Sequence, residues 1–333
     1  MVPEAKVKAV CLLSGGLDSS LALRLVMDQG VEVIAVHCKG PFGGCTEIRD
    51  SAASAVAGAL GARLVVVTLE DEYLDIVRSP RYGYGSNVNP CIDCHIYFLK
   101  QAGRVMKDEG ASFVVTGEVL GQRPMSQRLD TLRKIEKASG LLGLILRPLS
   151  AKLLEETIPE ARGWVKREDM LAISGRSRRE QIQLARELGV TGFSAPAGGC
   201  LLTDPQFAPR VRDLLARGDL NLHEAGLLRL GRHLRLPQGC KLVVGRNEKE
   251  NNDLTGRARP GDVVLTTEDC PGPTAILAGK AALDDLELAA SIVARYSDGK
   301  REGRVMVRAV AQELDRLISA VPLDPESVGK LMI

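Results

Sequence analysis

Ser14, Asp18, Ser19 and Ser20 flank a glycine pair in the stretch Ser14-Gly15-Gly16-Leu17-Asp18-Ser19-Ser20. Hydroxyls and one carboxylate at that spacing suit a polyphosphate. The serines donate to phosphate oxygens, and Asp18 can hold Mg2+ that bridges them. The glycines remove side chains, so backbone N–H groups can close on an anion. The apolar run Val7–Leu13 reads as a strand, and the residues from about Ser19 to Gly30 read as a helix. The positive N-terminus of that helix points at the same spot. An ordinary strand–turn–helix with a tight Gly-Gly turn is the bland alternative.

A second cluster is Asn89-Pro90-Cys91-Ile92-Asp93-Cys94-His95, to which Ala197-Gly198-Gly199-Cys200 is added. Two residues between cysteines let both sulfurs reach one metal, one cluster or each other. Cys200 is distant in sequence, but two glycines before it permit a close approach. Three readings stay open: an iron–sulfur cluster or catalytic thiol group, a structural zinc with His95 as fourth ligand, and unrelated buried thiols. Cys11, Cys38, Cys45, Cys240 and Cys270 lack paired spacing and read as core or incidental.

Elements that alternate between strand and helix must position these groups. Val7–Leu13, Val31–His37, Ala62–Leu69, Phe113–Thr116 and Gly143–Arg147 read as strands, with helices over Thr46–Leu60 and Ile96–Glu109 among them. Apolar strands separated by helices imply α/β architecture with a parallel sheet covered on both faces. Ligands then sit at the carboxyl ends of strands. The serine-rich turn, His37, Thr116-Gly117-Glu118 and Arg147-Pro148-Leu149 all lie there.

Composition bounds the rest. A chain of 333 residues favours two domains. With 45% hydrophobic and 26% charged residues it reads as globular, and 3% aromatics make the core aliphatic. Without an 18-residue apolar run or a signal-peptide pattern the expectation is cytoplasmic, with no membrane association. The eight cysteines are then not expected to be disulfide staples. A net charge of +2 excludes a globally basic nucleic-acid binder, so any such contact must be local.

The S-G-G-x-D-S turn resembles the PP-loop of ATP pyrophosphatases, which cleave ATP between the α and β phosphates. Thr116-Gly117-Glu118-Val119-Leu120-Gly121-Gln122 followed by Ser126-Gln127 is similar to the T-G-E-x-L-G-Q segment of tRNA 4-thiouridine synthetases. Arg147-Pro148-Leu149 with Lys152 is similar to their R-P-L segment. The resemblance spans roughly residues 7–200. It implies ATP and Mg2+ at Ser14, Gly15, Gly16, Asp18, Ser19 and Ser20, with His37, Gly117 and Lys152 beside the nucleotide. The C-x-x-C with a distant cysteine resembles PP-loop tRNA thiolases that carry a 4Fe-4S cluster, and implies Cys91, Cys94 and Cys200 as ligands. Neither the N-terminal RNA-binding extension nor the rhodanese-like domain of typical 4-thiouridine synthetases is expected. Sulfur is therefore expected as free sulfide or from a persulfide donor.

A PP-loop domain over 1–205 and a smaller α+β domain over 225–333 are expected, with the boundary in 203–225. Leu242-Val243-Val244-Gly245-Arg246-Asn247 and Asn251-Asn252-Asp253-Leu254-Thr255 resemble the NFACT-R signature of RNA-binding proteins. Pro273 and Thr274 stand where that family usually has a histidine. Residues 227–259 hold eight Lys/Arg against three Asp/Glu, which suits phosphate contact, with Arg246 and Asn247 foremost. Residues 121–137 hold five against two, and Gln122 and Arg123 there are candidates to meet tRNA. Residues 162–187 read as amphipathic helices with a solvated face.

The activity these resemblances imply is ATP-dependent thiouridine synthesis on tRNA. A uridine carbonyl oxygen is adenylated, and sulfur then displaces AMP. The sulfur comes from a cluster on Cys91, Cys94 and Cys200, or from a persulfide on Cys200 resolved by Cys94. A PP-loop amidating or nucleobase-modifying ligase, and a non-catalytic RNA-binding factor, are the alternatives.

Overall fold

The computed structural model describes residues 7–42, 51–194, 200–279 and 282–333. The chain divides into two compact units, Met1–Asp204 and Pro205–Ile333.

The first unit runs β1 (Lys8–Leu12), α1 (Leu17–Met27), β2 (Glu32–Lys39), α2 (Ala52–Leu60), β3 (Arg63–Thr68), α3 (Asp71–Arg78), α4 (Cys91–Asp108), β4 (Phe113–Val115), α5 (Leu129–Ser139), β5 (Ile145–Leu146), α6 (Ile158–Ala161) and α7 (Arg179–Glu187). Its five strands pair in parallel in the order β3-β2-β1-β4-β5. The strands are apolar without alternation because both faces are covered. Ala9, Cys11 and Val115 pack with Leu23, Val26 and Val56 on one side. Val10, Ile34 and Val36 pack with Leu99 and Ala102 on the other. β1 is central, so the turn after it lies at mid-sheet.

Three expectations shift. The helix expected from Ile96 begins at Cys91, because Pro90 immediately before it fixes φ and lets the helix start there. The helix expected from Thr46 is described from Ala52, capped by the Ser51 side chain, which accepts from the Ser54 amide; residues 46–50 lie outside the described residues. The stretch 162–187 holds one helix of any length, α7, plus a single 3-10 turn at Arg167–Asp169. α7 is not merely a solvated face, since Gln181 and Ala185 are buried.

The second unit runs α8 (Ala208–Arg217), α9 (Leu222–Leu227), β6 (Arg232–Arg235), β7 (Lys241–Val244), α10 (Glu248–Thr255), β8 (Val263–Thr267), β9 (Ala275–Ala278), α11 (Leu283–Tyr296), β10 (Val305–Ala311), β11 (Leu314–Ala320) and α12 (Pro325–Leu331). Its strands form an antiparallel sheet in the order β11-β10-β8-β9-β7-β6. Leu286, Ala289, Ala290 and Val293 of α11 join the core with Leu242, Leu265, Leu277 and Val307 of the sheet. Among the described residues no helix is long and apolar enough to cross a membrane.

Candidate active site

A cavity of about 410 Å3 opens at the carboxyl ends of the parallel strands, lined by Ser14, Gly16, Asp18, Ser19, His37 and Thr116–Glu118 among others. The turn that enters it is internally braced. Ser14 Oγ and Ser19 Oγ are 3.0 Å apart, the Gly16 amide donates to Ser14 Oγ (3.3 Å), and Ser19 Oγ donates to the Gly16 carbonyl (3.0 Å). Gly16 is the N-cap of α1 and no side chain caps that end. The first-turn N–H groups therefore remain for an anion. Two glycines are obligatory here. Gly15 has φ +79° and a Cβ on it would strike the Ala52–Ala53 backbone. A Cβ on Gly117 would strike the backbone of Asp18 and Ser19. Gly117 thus lets the strand-end segment lie against the start of α1.

Asp18 lines the cavity and its Oδ1 is buried with no partner. Its other oxygen, Oδ2, accepts from Gln122 Nε2 at 2.6 Å. An unpartnered carboxylate oxygen beside a phosphate-sized cradle fits Mg2+. Gln122, expected to reach RNA, is instead buried beneath Asp18.

Beside this turn runs a chain of alternating charge. His95 Nδ1 and Glu118 Oε1 are 2.8 Å apart, and Arg147 Nε donates to Glu118 Oε2 at 2.9 Å. Arg147 Nη1 donates to Glu136 Oε2 at 3.0 Å. Burial alone would raise the Glu118 carboxyl, but the Arg147 charge and the His95 contact hold it at about 2. Burial would also discharge His95, yet Cys91 and Glu118 hold its pKa at about 9. At Cys91 burial is again opposed, here by the interaction with His95, with smaller help from Ser126 and the Arg123 charge, and the thiol falls to about 7. Cys91 is also the first residue of α4, where the helix field favours a thiolate. Cys94 goes the other way: burial pushes it to about 12, and its Sγ lies 3.5 Å from the Tyr73 hydroxyl.

Cys91, Cys94 and Cys200 are near enough to influence one another's ionisation. As arranged they do not fit a cluster. Cys91 faces His95, Cys94 faces Tyr73, and among the described residues no three His, Cys, Asp or Glu side chains could share a metal ion. That also removes the zinc site with His95, whose ring is taken by Glu118 and Cys91. The Ala197–Gly199 approach to Cys200 lies outside the described residues.

Other expected residues divide. His37 lines the cavity, its Nδ1 2.9 Å from the Leu13 carbonyl, and exposed Arg123 lines it too. Ser20 is fully buried and donates to the Gly16 carbonyl at 2.9 Å, so it braces the turn from behind. Lys152 stands outside the cavity lining and donates to the Glu168 carbonyl. In the second unit Asn247 caps α10 by accepting from the Glu250 amide, and Arg246 is ion-paired with Glu250 (Nε to Oε1 3.0 Å). Both therefore build the fold, whatever else they touch. The roles of Glu118, Arg147 and Gln181 were not visible in sequence. The Cys91–His95 contact was announced by i,i+4 spacing, which puts both on one helix face.

Residues 5–164 match the family model described as thiamine biosynthesis protein (ThiI), and residues 231–332 match that of the NFACT protein RNA binding domain. The first match falls within the first compact unit and the second within the second. Over 155 residues, 46% of the chain, the sequence is 31% identical to a probable tRNA sulfurtransferase of Thermococcus kodakarensis, of which it covers 40%. Over 128 residues, 35% of the chain, it is 35% identical to the tRNA-specific 2-thiouridylase MnmA of Streptococcus pyogenes serotype M18, of which it covers 34%. The chain thus spans only a third to two fifths of the length of these curated relatives. Among solved structures, a 4-thiouridine synthetase–RNA complex with bound ATP is similar at TM-score 0.35 and 23% identity, covering 55% of this chain and 52% of that one.

Proposed function

We propose that the chain is an ATP-dependent tRNA sulfurtransferase that uses the Cys91 thiolate as its sulfur carrier. One observation carries this reading: His95, which lowers the Cys91 thiol, and Glu118, which keeps His95 charged, wall the same cavity as the phosphate-binding turn. The named relatives act on tRNA, which agrees with an NFACT-R domain on the same chain.

ATP would seat its phosphates on the Ser14 and Ser19 hydroxyls and the first-turn amides of α1. Mg2+, when bound at Asp18, supplies charge neutralisation. A base carbonyl oxygen attacks the α-phosphorus, the α–β anhydride bond breaks and pyrophosphate leaves. Arg123 at the cavity wall offsets the developing charge. Cys91, loaded as a persulfide by a donor, attacks the adenylated carbon through its terminal sulfur, and AMP leaves. A second thiol, Cys200, then attacks the Cys91 sulfur. The S–S bond breaks, the thiocarbonyl departs, and the two thiols become a disulfide that an external thiol reduces. Cys91 is preferred over Cys200 as carrier because its own pKa is lowered while that of Cys200 is raised. No step runs through a cluster.

The test is the full chain with ATP, Mg2+, an unmodified tRNA transcript and a polysulfide donor. Pyrophosphate release and a thionucleoside by mass spectrometry are expected, both lost in Asp18→Ala. In Cys91→Ser thiolation is lost while pyrophosphate release persists. Thiolation at the wild-type level in Cys91→Ser overturns the carrier. Absence of tRNA-dependent pyrophosphate release overturns the activity. In the second unit Arg246→Ala should lower the salt slope of tRNA binding by about one; an unchanged slope removes Arg246 from the RNA contact.

A further inference from the structure

We infer that Gln181 and Gln122 are positioning residues that set Asp18 for its metal ion. The inference rests on the reading of the cavity as an Mg–ATP site.

Gln181 lies on α7 and is 0% exposed, and Gln122 is 8% exposed. Neither lines the cavity. Gln181 Nε2 donates to Gln122 Oε1 at 2.9 Å, and Gln122 Nε2 donates to Asp18 Oδ2 at 2.6 Å. The order of these bonds matters. A glutamine can present either end of its amide to a neighbour, and its oxygen end would repel a carboxylate. The Asp18 carboxylate only accepts, so the nitrogen end of Gln122 faces it, and Gln181 takes up the Gln122 oxygen from behind. One carboxylate oxygen is thereby fixed and the other, Oδ1, is left without a protein partner.

Packing alone gives no account of this arrangement. Around α7 the contact with α1 is apolar, with Leu17 and Leu21 against Ile182, Leu184, Ala185 and Leu188. Gln181 interrupts that stripe, and its own Oε1 is buried without a partner. An apolar residue of the same length would avoid that unsatisfied group. A buried polar side chain kept at such a position is explained by what its other end holds.

The test is calorimetric titration of ATP into the full chain at graded Mg2+, with far-UV circular dichroism confirming the fold of each variant. In the wild type Mg2+ tightens ATP binding. Gln181→Met and Gln122→Met should each weaken the apparent Mg2+ affinity by about 10- to 100-fold, as loss of a support behind a metal ligand does, while ATP binding without metal is unchanged. Gln181→Glu should weaken it more than Gln181→Met. Its carboxylate accepts from Gln122 Nε2 and turns the Gln122 oxygen toward Asp18. A filler role would instead leave the Mg2+ dependence of every folded variant at the wild-type value, and that result overturns the inference while ATP binding stands. A wild-type chain that binds no ATP overturns both.

Discussion

Cys91 and Cys94 are three residues apart on one helix and lie on opposite sides of neutrality. Cys91 has His95 one turn along to stabilise a thiolate, whereas burial keeps Cys94 protonated despite the Tyr73 hydroxyl beside it. Alkylation by iodoacetamide should therefore label Cys91 first at pH 7, with a rate that rises through a midpoint near 7, read by peptide mass spectrometry. In His95→Ala the main opposition to burial is gone and only Ser126 and the Arg123 charge remain, so that midpoint should rise toward the free-thiol value of about 8.5. Equal labelling of both cysteines at pH 7 would refute the pairing. Glu118 makes a second prediction. Its folded pKa of about 2 lies below the unfolded value, so it stabilises the fold above roughly pH 4.3 and that stability is lost as pH falls toward 2. Glu118→Gln should flatten this acid loss in urea titrations between pH 5 and 3. It should also cost about 3–5 kcal/mol at neutral pH, because Arg147 is left buried. Both cysteines were legible in sequence from their spacing. Glu118 and Arg147 were legible only as strand-end residues, because their meeting depends on the β4–β5 pairing that no local pattern encodes.

At the scale of elements, the site exists because β1 ends in a turn that α1 leaves without a side-chain cap, and because the segment after β4 lies directly against that helix start. Gly117→Ala should break this contact. A methyl group there meets the backbone of Asp18 and Ser19, for a cost of about 1–3 kcal/mol. Equilibrium ATP binding should fall with it, and retention of wild-type affinity would show that the two segments are free to separate. The parallel strands were readable because each is a short, unbroken apolar run. α5 was not, since its buried face is only Thr131, Leu132 and Ile135 amid charged residues. α7 was read as solvated for the same reason: charge on its outer face hid Gln181 on the inner one.

The whole molecule has two sheets of different kinds, each with its own core. The single tryptophan, Trp164, stacks on Phe113 in the first unit with ring centroids 6.1 Å apart. Its emission therefore reports the first unit without contribution from the second. Mg–ATP at a hundred times its dissociation constant should stabilise the transition seen by Trp164 by about 2.7 kcal/mol. Thermal melts followed at that emission check this, and an unmoved midpoint argues against nucleotide binding in the first unit. The boundary expected in 203–225 rests on a change of composition there, whereas the antiparallel order of the second sheet had no sequence signal, because its strands are only four to seven residues long.

The central place of β1 also bears on how the protein is born. Ala9, Val10 and Cys11 pair with Phe113, Val114 and Val115, so β1, once made, waits for a partner roughly a hundred residues behind it. At about 5–20 residues per second of synthesis, that wait is on the order of 5–20 seconds. During it β1 can pair with β2 but has a bare edge on its other side, and the phosphate turn lacks Thr116–Glu118. A nascent chain is therefore unable to complete its nucleotide site early. ATP can act as a folding ligand only after β4 has emerged.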